Sequence, residues 1–117
     1  MRRPGNAVTF YRRADGKLIG YRAEGHTGYA EAGSDIVCAA VSALTQSTLN
    51  GLKNVLEAPV TASIDDQSAT LEARLAPEAT EAQIRQAQLL LRTLLEGLQA
   101  IQRSYPRNVR IICEERR

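Results

Sequence analysis

His26 is the only histidine of the chain, and it stands twelve residues before Cys38, one of two cysteines. The segment between Gly25 and Ser42 reads GHTGYAEAGSDIVCAAVS, so a base, a thiol and the glycines Gly25, Gly28 and Gly33 share one short stretch. A thiol attacks carbonyl carbon as its thiolate, and a neighbouring imidazolium or a helix N-terminus lowers a cysteine pKa from about 8.5 by as much as several units. Both devices lie within reach of Cys38. Ser34 and Asp35 mark a helix start, which puts Cys38 in or just beyond the first turn, where backbone N–H groups lack helical partners. Those donors suit the oxyanion of a tetrahedral intermediate, and the chemistry suggested is covalent acyl transfer.

The neighbours of this pair have open roles at this level. A carboxylate at Asp35 opposes thiolate formation one turn away, so it does not activate Cys38; it is either an orienter of His26, a substrate contact, or simply a favourable first-turn acid. Ser42, one turn beyond Cys38, either bonds the sulfur or substrate or bonds back to the helix. Tyr29 is a loop anchor or a wall of a substrate groove. A structural zinc site wants four Cys or His ligands, and His26, Cys38 and Cys113 do not make one, so neither metal nor organic cofactor is expected. Cys113 reads as a small apolar residue of a strand.

The elements that must position these residues follow from periodicity. Val8 and Phe10 alternate with Thr9 and Tyr11, and Ile19, Tyr21 and Ala23 resume the alternation after Asp15-Gly16, which predicts a β-hairpin with a two-residue turn whose second strand ends at Glu24-Gly25. His26 then begins the loop. Val37, Ala40, Val41, Leu44, Leu52 and Val55 recur at helical spacing to about Glu57, with Cys38 on the border of the stripe and Asp35 and Ser42 on its polar side. A second hairpin follows, Val60 to Ile64 and Leu71 to Leu75 around Asp65-Asp66-Gln67-Ser68. Thr80 and Gln83 form a capping box for a helix whose face is Ile84, Ala87, Leu91, Leu94, Leu95, Leu98 and Ile101. Leu89 and Leu90 broaden that face, as a subunit interface would. A last strand spans Val109 to Cys113. The fold expected is α+β in the order ββαββαβ, two helices on a mostly antiparallel sheet.

At 117 residues the chain suits one domain, 1–117, able to fold on its own core. Charged residues are 24% and hydrophobic ones 44%, and no apolar run approaches the roughly 20 residues of a membrane span. The basic start Met1-Arg2-Arg3 leads into a strand pattern instead of a signal sequence, so a cytoplasmic location is expected. Net charge is only +2 and the arginines are dispersed, which gives nucleic-acid binding weak support.

The pattern G-H-x-G-Y-A-x-x-G-x-D-[IL]-V-C-A-x-[VI]-S resembles that of the bacterial ribosomal-processing cysteine proteases of the Prp family, matched at Gly25, His26, Gly28, Tyr29, Ala30, Gly33, Asp35, Ile36, Val37, Cys38, Ala39, Val41 and Ser42. Thr27 departs from the alanine usual there. The element order and length resemble that family throughout. The resemblance implies a cytoplasmic, homodimeric endopeptidase that removes an N-terminal extension from the twenty-seventh protein of the large ribosomal subunit, with no membrane or nucleic acid required. It further implies Cys38 as nucleophile, His26 as general base, Asp35 and Ser42 in support, and a Gly25–Gly33 loop that closes over the peptide. Two rival readings are a non-enzymatic ribosome- or RNA-associated module and a redox pair of Cys38 with Cys113.

Overall fold

The computed structural model of the chain describes residues 5–25 and 34–116, with Ser34 and Asp35 described by their backbone alone. β1 (Asn6–Arg12) and β2 (Leu18–Gly25) pair antiparallel, and the alternation puts Val8, Phe10, Tyr21 and Ala23 into the core. The turn between them is longer than the expected two-residue loop. Arg13 N–H donates to the Lys17 carbonyl at 2.8 Å and Gly16 N–H to the Arg13 carbonyl at 2.9 Å, leaving Ala14, Asp15 and Gly16 as a three-residue loop. Within it Gly16 takes the positive φ, 93°, as three-residue hairpins require, while the Asp15 carboxylate accepts from Lys17 N–H at 3.1 Å.

Helix α1 (Ser34–Asn50) runs on into a π-helical turn, Gly51–Val55, so the helical stretch ends close to the expected point. β3 (Val60–Asp65) and β4 (Thr70–Leu75) form the second hairpin, α2 (Glu81–Ser104) follows, and β5 (Val109–Glu115) closes the fold. The sheet order is β3-β4-β2-β1-β5, antiparallel except that β5 lies parallel to β1. The architecture is thus the expected ββαββαβ, and one core joins Val8, Phe10 and Tyr21 of the sheet to Val37 and Val41 of α1 and Leu91, Leu94 and Leu98 of α2.

The helix starts agree with their signals. Thr80 Oγ1 accepts from Gln83 N–H at 3.1 Å and Gln83 Oε1 accepts from Thr80 N–H at 2.8 Å, the reciprocal box read from the sequence. Val55 departs from expectation: it is 78% exposed, because the π turn carries more residues per turn than an α-helix and rotates this position off the apolar face. Leu90 finds its partner at the same place, since a Cβ on Gly51 would lie 3.0 Å from its Cδ1. Leu89 stays outside, 76% exposed.

The other sheet face is polar and internally paired. Tyr11 lies there, fully buried, with the guanidiniums of Arg116 and Arg74 at 4.6 and 5.3 Å from its ring centre and its hydroxyl donating to Glu72. Arg22 pairs with Glu24 at 3.2 Å and Arg116 with Glu114 at 2.9 Å. This is a salt-linked covering of the sheet more than a free basic patch for phosphate.

Candidate active site

Cys38 is the fifth residue of α1, between buried Val37 and exposed Ala39, and is half-buried as its border position predicts. Two anchors fix the helix that carries it. The buried Tyr21 hydroxyl donates to the Thr45 carbonyl at 2.6 Å, and burial pushes its ionisation well above the ordinary tyrosine value. Val37, Val41 and Leu49 then seat the same helix on the core.

The sulfur faces the first residue of β1. Asn6 is only 4% exposed, and its side-chain Nδ2 donates to Cys38 Sγ at 3.4 Å and to the Asn108 carbonyl at 3.4 Å. Its backbone N–H donates to that same carbonyl at 3.0 Å. Asn6 was not among the residues singled out by spacing. The signal was nevertheless present, because Asn6 heads the inward row Asn6, Val8, Phe10, where a polar side chain needs a buried partner.

Opposite Asn6 on the neighbouring strand is Gly25, the residue before His26. Its N–H donates to the Ala69 carbonyl at 2.8 Å, and a Cβ here would lie 3.2 Å from the Ala69 Cβ. Glycine lets β2 run this close to the β3–β4 turn at the point where the chain departs toward His26. The turn itself is pinned by Asp65, whose Oδ1 accepts from Gln67 N–H at 3.0 Å, and by Ala69, which adopts φ 53°.

These parts enclose a cavity of about 410 Å³, within the range of small-ligand and peptide side-chain sites. Cys38 and Ser42 line it from α1, Asn6 and Gly25 from the central strands, and Ile64, Asp65 and Asp66 from the second hairpin. Ile64 is 65% exposed, because β3 is an edge strand whose far end neither helix covers. Apolar Ile64 and acidic Asp65 and Asp66 thus share the hairpin side of the cavity, and Cys38 lines it from α1. Ser42 lies one turn beyond Cys38 on this cavity, where the expectation placed it.

Asp35 takes up its expected place in the first turn of α1. His26, Gly28, Tyr29 and Gly33 lie outside the described residues, as does the side chain of Asp35. Cys113 is exposed on β5 level with Phe10, about 13 Å along β1 from Asn6 by strand rise, and both cysteines are free. The thiols are thus not a redox pair. Among the described residues no cluster of His, Cys, Asp and Glu could hold a metal ion, and no helix is long and apolar enough to cross a membrane.

The family model for the cysteine protease Prp matches residues 7–110, a stretch that takes in both His26 and Cys38. The chain belongs to the cysteine protease Prp family. It is 30% identical over 97 residues to the ribosomal processing cysteine protease Prp of Staphylococcus aureus, covering 83% of this chain and 88% of that protein. The Bacillus subtilis protein of the same name is 29% identical over 105 residues, covering 89% and 93%. The crystal structure of the S. aureus protease with a substrate peptide superposes with a TM-score of 0.81 at 28% identity, over 93% of this chain and 99% of that one. Another S. aureus structure, with a covalently linked product peptide, gives a TM-score of 0.77 over the same shares, again at 28% identity. As a Prp member the chain is a cysteine protease with the α+β fold of those structures.

Proposed function

We propose that the chain is the endopeptidase that removes a short N-terminal extension from a large-subunit ribosomal protein, the twenty-seventh, and so serves ribosome assembly in the cytoplasm. Cys38 is the nucleophile and His26 the general acid and base; Asp35 and Ser42 support them. The observation that carries this reading is that one cavity is lined by both Cys38 and Gly25. His26 follows Gly25 directly in the sequence. The relatives are ribosomal processing proteases by name, and the S. aureus one has been captured with a substrate peptide and with a covalently linked product peptide.

The steps follow from the chemistry of a thiol and an imidazole. The Cys38 thiolate adds to the scissile carbonyl carbon, and backbone N–H groups around the helix start receive the oxyanion. The C–N bond then breaks as imidazolium at His26 protonates the leaving amine, and a thioester on Cys38 remains. Water, deprotonated by the now neutral imidazole, attacks that thioester and releases the new C-terminal carboxylate and the thiol. Residues Gly25, Gly28, Tyr29 and Gly33 form the substrate loop, and closing it only over the right peptide restrains a protease among other cellular proteins. The whole chain acts as one catalytic domain with 25–42 as its active segment, and it works as a homodimer; the exposed Leu89 on α2 supports self-association.

The test is incubation of the purified protein with the organism's own large-subunit protein, reading the N-terminal mass of the product. Wild type should remove one defined segment, and Cys38→Ala and His26→Ala should leave the substrate whole. Folded wild type that leaves an extension-bearing substrate uncut would turn the reading to the non-enzymatic binding module.

A further inference from the structure

We propose that the side-chain amide of Asn6 is a catalytic hydrogen-bond donor to Cys38, holding the sulfur toward the cavity and stabilising its thiolate form. This rests on the reading of Cys38 as the nucleophile, and it adds a group outside the stretch 7–110 that matches the family model. Three observations converge on it.

The first is contact: Asn6 Nδ2 lies 3.4 Å from Cys38 Sγ, within the range of an N–H to sulfur bond. The second is burial combined with rigidity. Asn6 is 4% exposed, its backbone N–H donates to the Asn108 carbonyl at 3.0 Å, and its side-chain amide donates to the same carbonyl at 3.4 Å. The third is place, because Asn6 pairs in register with Gly25 and with Val109, which sets it at the junction of three strands on the floor of the catalytic cavity.

A carboxamide N–H donates and does not ionise, so its effect on a sulfur is of one sign. It bonds a thiolate more strongly than a thiol, as donors do with anionic acceptors. The two NH₂ hydrogens divide the work, one to the Asn108 carbonyl at 3.4 Å and one to the sulfur. A helix N-terminus and His26 act through charge and dipole. Asn6 acts by contact and fixes the rotamer from which the sulfur attacks.

Alkylation reads this without any substrate. Cys38 modification by iodoacetamide is followed by peptide mass mapping at neutral pH, with exposed Cys113 in the same molecule as the reference thiol. Asn6→Ala removes the donor, and Asn6→Leu removes it while filling its volume, with thermal melting to show that each is folded. The expected result is a drop of about tenfold or more in the Cys38 rate at neutral pH relative to Cys113. In wild type, the Asn6 side-chain amide resonances should shift when Cys38 is alkylated, a reading that needs no variant.

An unchanged Cys38 to Cys113 ratio in either folded variant would overturn the proposal, as would Asn6 amide resonances indifferent to Cys38 alkylation. Cleavage by wild type together with flat Asn6 readouts removes this inference alone. A Cys38 governed by Asn6 in a protein that cuts nothing removes the protease substrate reading and leaves the contact standing.

Discussion

Replacing Tyr21 by Phe removes one hydroxyl, and with it the 2.6 Å bond that ties the Cys38 helix to the sheet through the Thr45 carbonyl. A net intramolecular hydrogen bond of this neutral kind contributes about 1 kcal/mol. For 117 residues the entropy of unfolding is about 0.25 kcal/mol/K, so Tyr21→Phe should melt about 4 °C below wild type near pH 8. The gap should then depend on pH in a definite direction. Burial raises the ionisation of Tyr21 in the folded protein, whereas tyrosines of the unfolded chain titrate near pH ~10. Above that pH the unfolded state holds fewer protons, so wild type loses stability as pH rises, by about 1.4 kcal/mol from this residue at a pH of roughly 11. Tyr21→Phe is free of that loss. Thermal melts by circular dichroism from pH 8 to 11 should therefore show the 4 °C deficit shrinking and closing by about pH 11. Tyr11, whose ionisation burial and its bond to Glu72 also raise, is common to both proteins and cancels. Equal melting temperatures at pH 8, or a deficit constant to pH 11, would exclude this role for the Tyr21 hydroxyl.

Gly20→Ala should destabilise by about 2 kcal/mol or more, because the new Cβ would lie 2.5 Å from the Ala73 carbonyl oxygen and 2.9 Å from the Arg74 Cα, both backbone atoms of the paired strand; an unchanged melting temperature would contradict this. Arg13→Ala should give a small melting deficit at pH 7 that closes as pH falls. Arg13 bonds Asp15 at 2.6 Å and Glu81 at 2.9 Å and holds both carboxyls below their usual range, so this stability is present above the unfolded carboxylate value near ~4 and is lost below it; melting both proteins from pH 7 to 3 checks it. Leu98→Ala, at a fully buried position facing the sheet, should lower stability by about 3 kcal/mol in urea titration without moving the rate at which exposed Cys113 is alkylated.

Most of the fold was legible because its signals are local. Alternation in Val8 to Tyr11 and in Leu71 to Leu75, the Thr80/Gln83 box and the 3.6-residue recurrence along α2 each report one element, and they agree with one another. What escaped depends on how a turn closes or on neighbours distant in sequence. The hairpin loop is three residues long because the Arg13–Lys17 pair closes it, and Val55 is turned outward by a π turn that Leu90 of α2 packs against. The candidate site divides the same way. Cys38, Ser42 and Gly25 stand where motif and spacing put them, whereas Asn6 reaches Cys38 across 32 positions of sequence and was visible beforehand only as a polar residue on an apolar row.

Covalent catalysis by Cys38 is tested by acid-quenching the wild-type protein during turnover of the ribosomal substrate and measuring the intact mass of the enzyme. The expected result is an added mass equal to the N-terminal fragment less one water, mapped to Cys38 as a thioester and absent from Cys38→Ala. Turnover at the normal rate by Cys38→Ala, or an adduct mapped to any other residue, would contradict it.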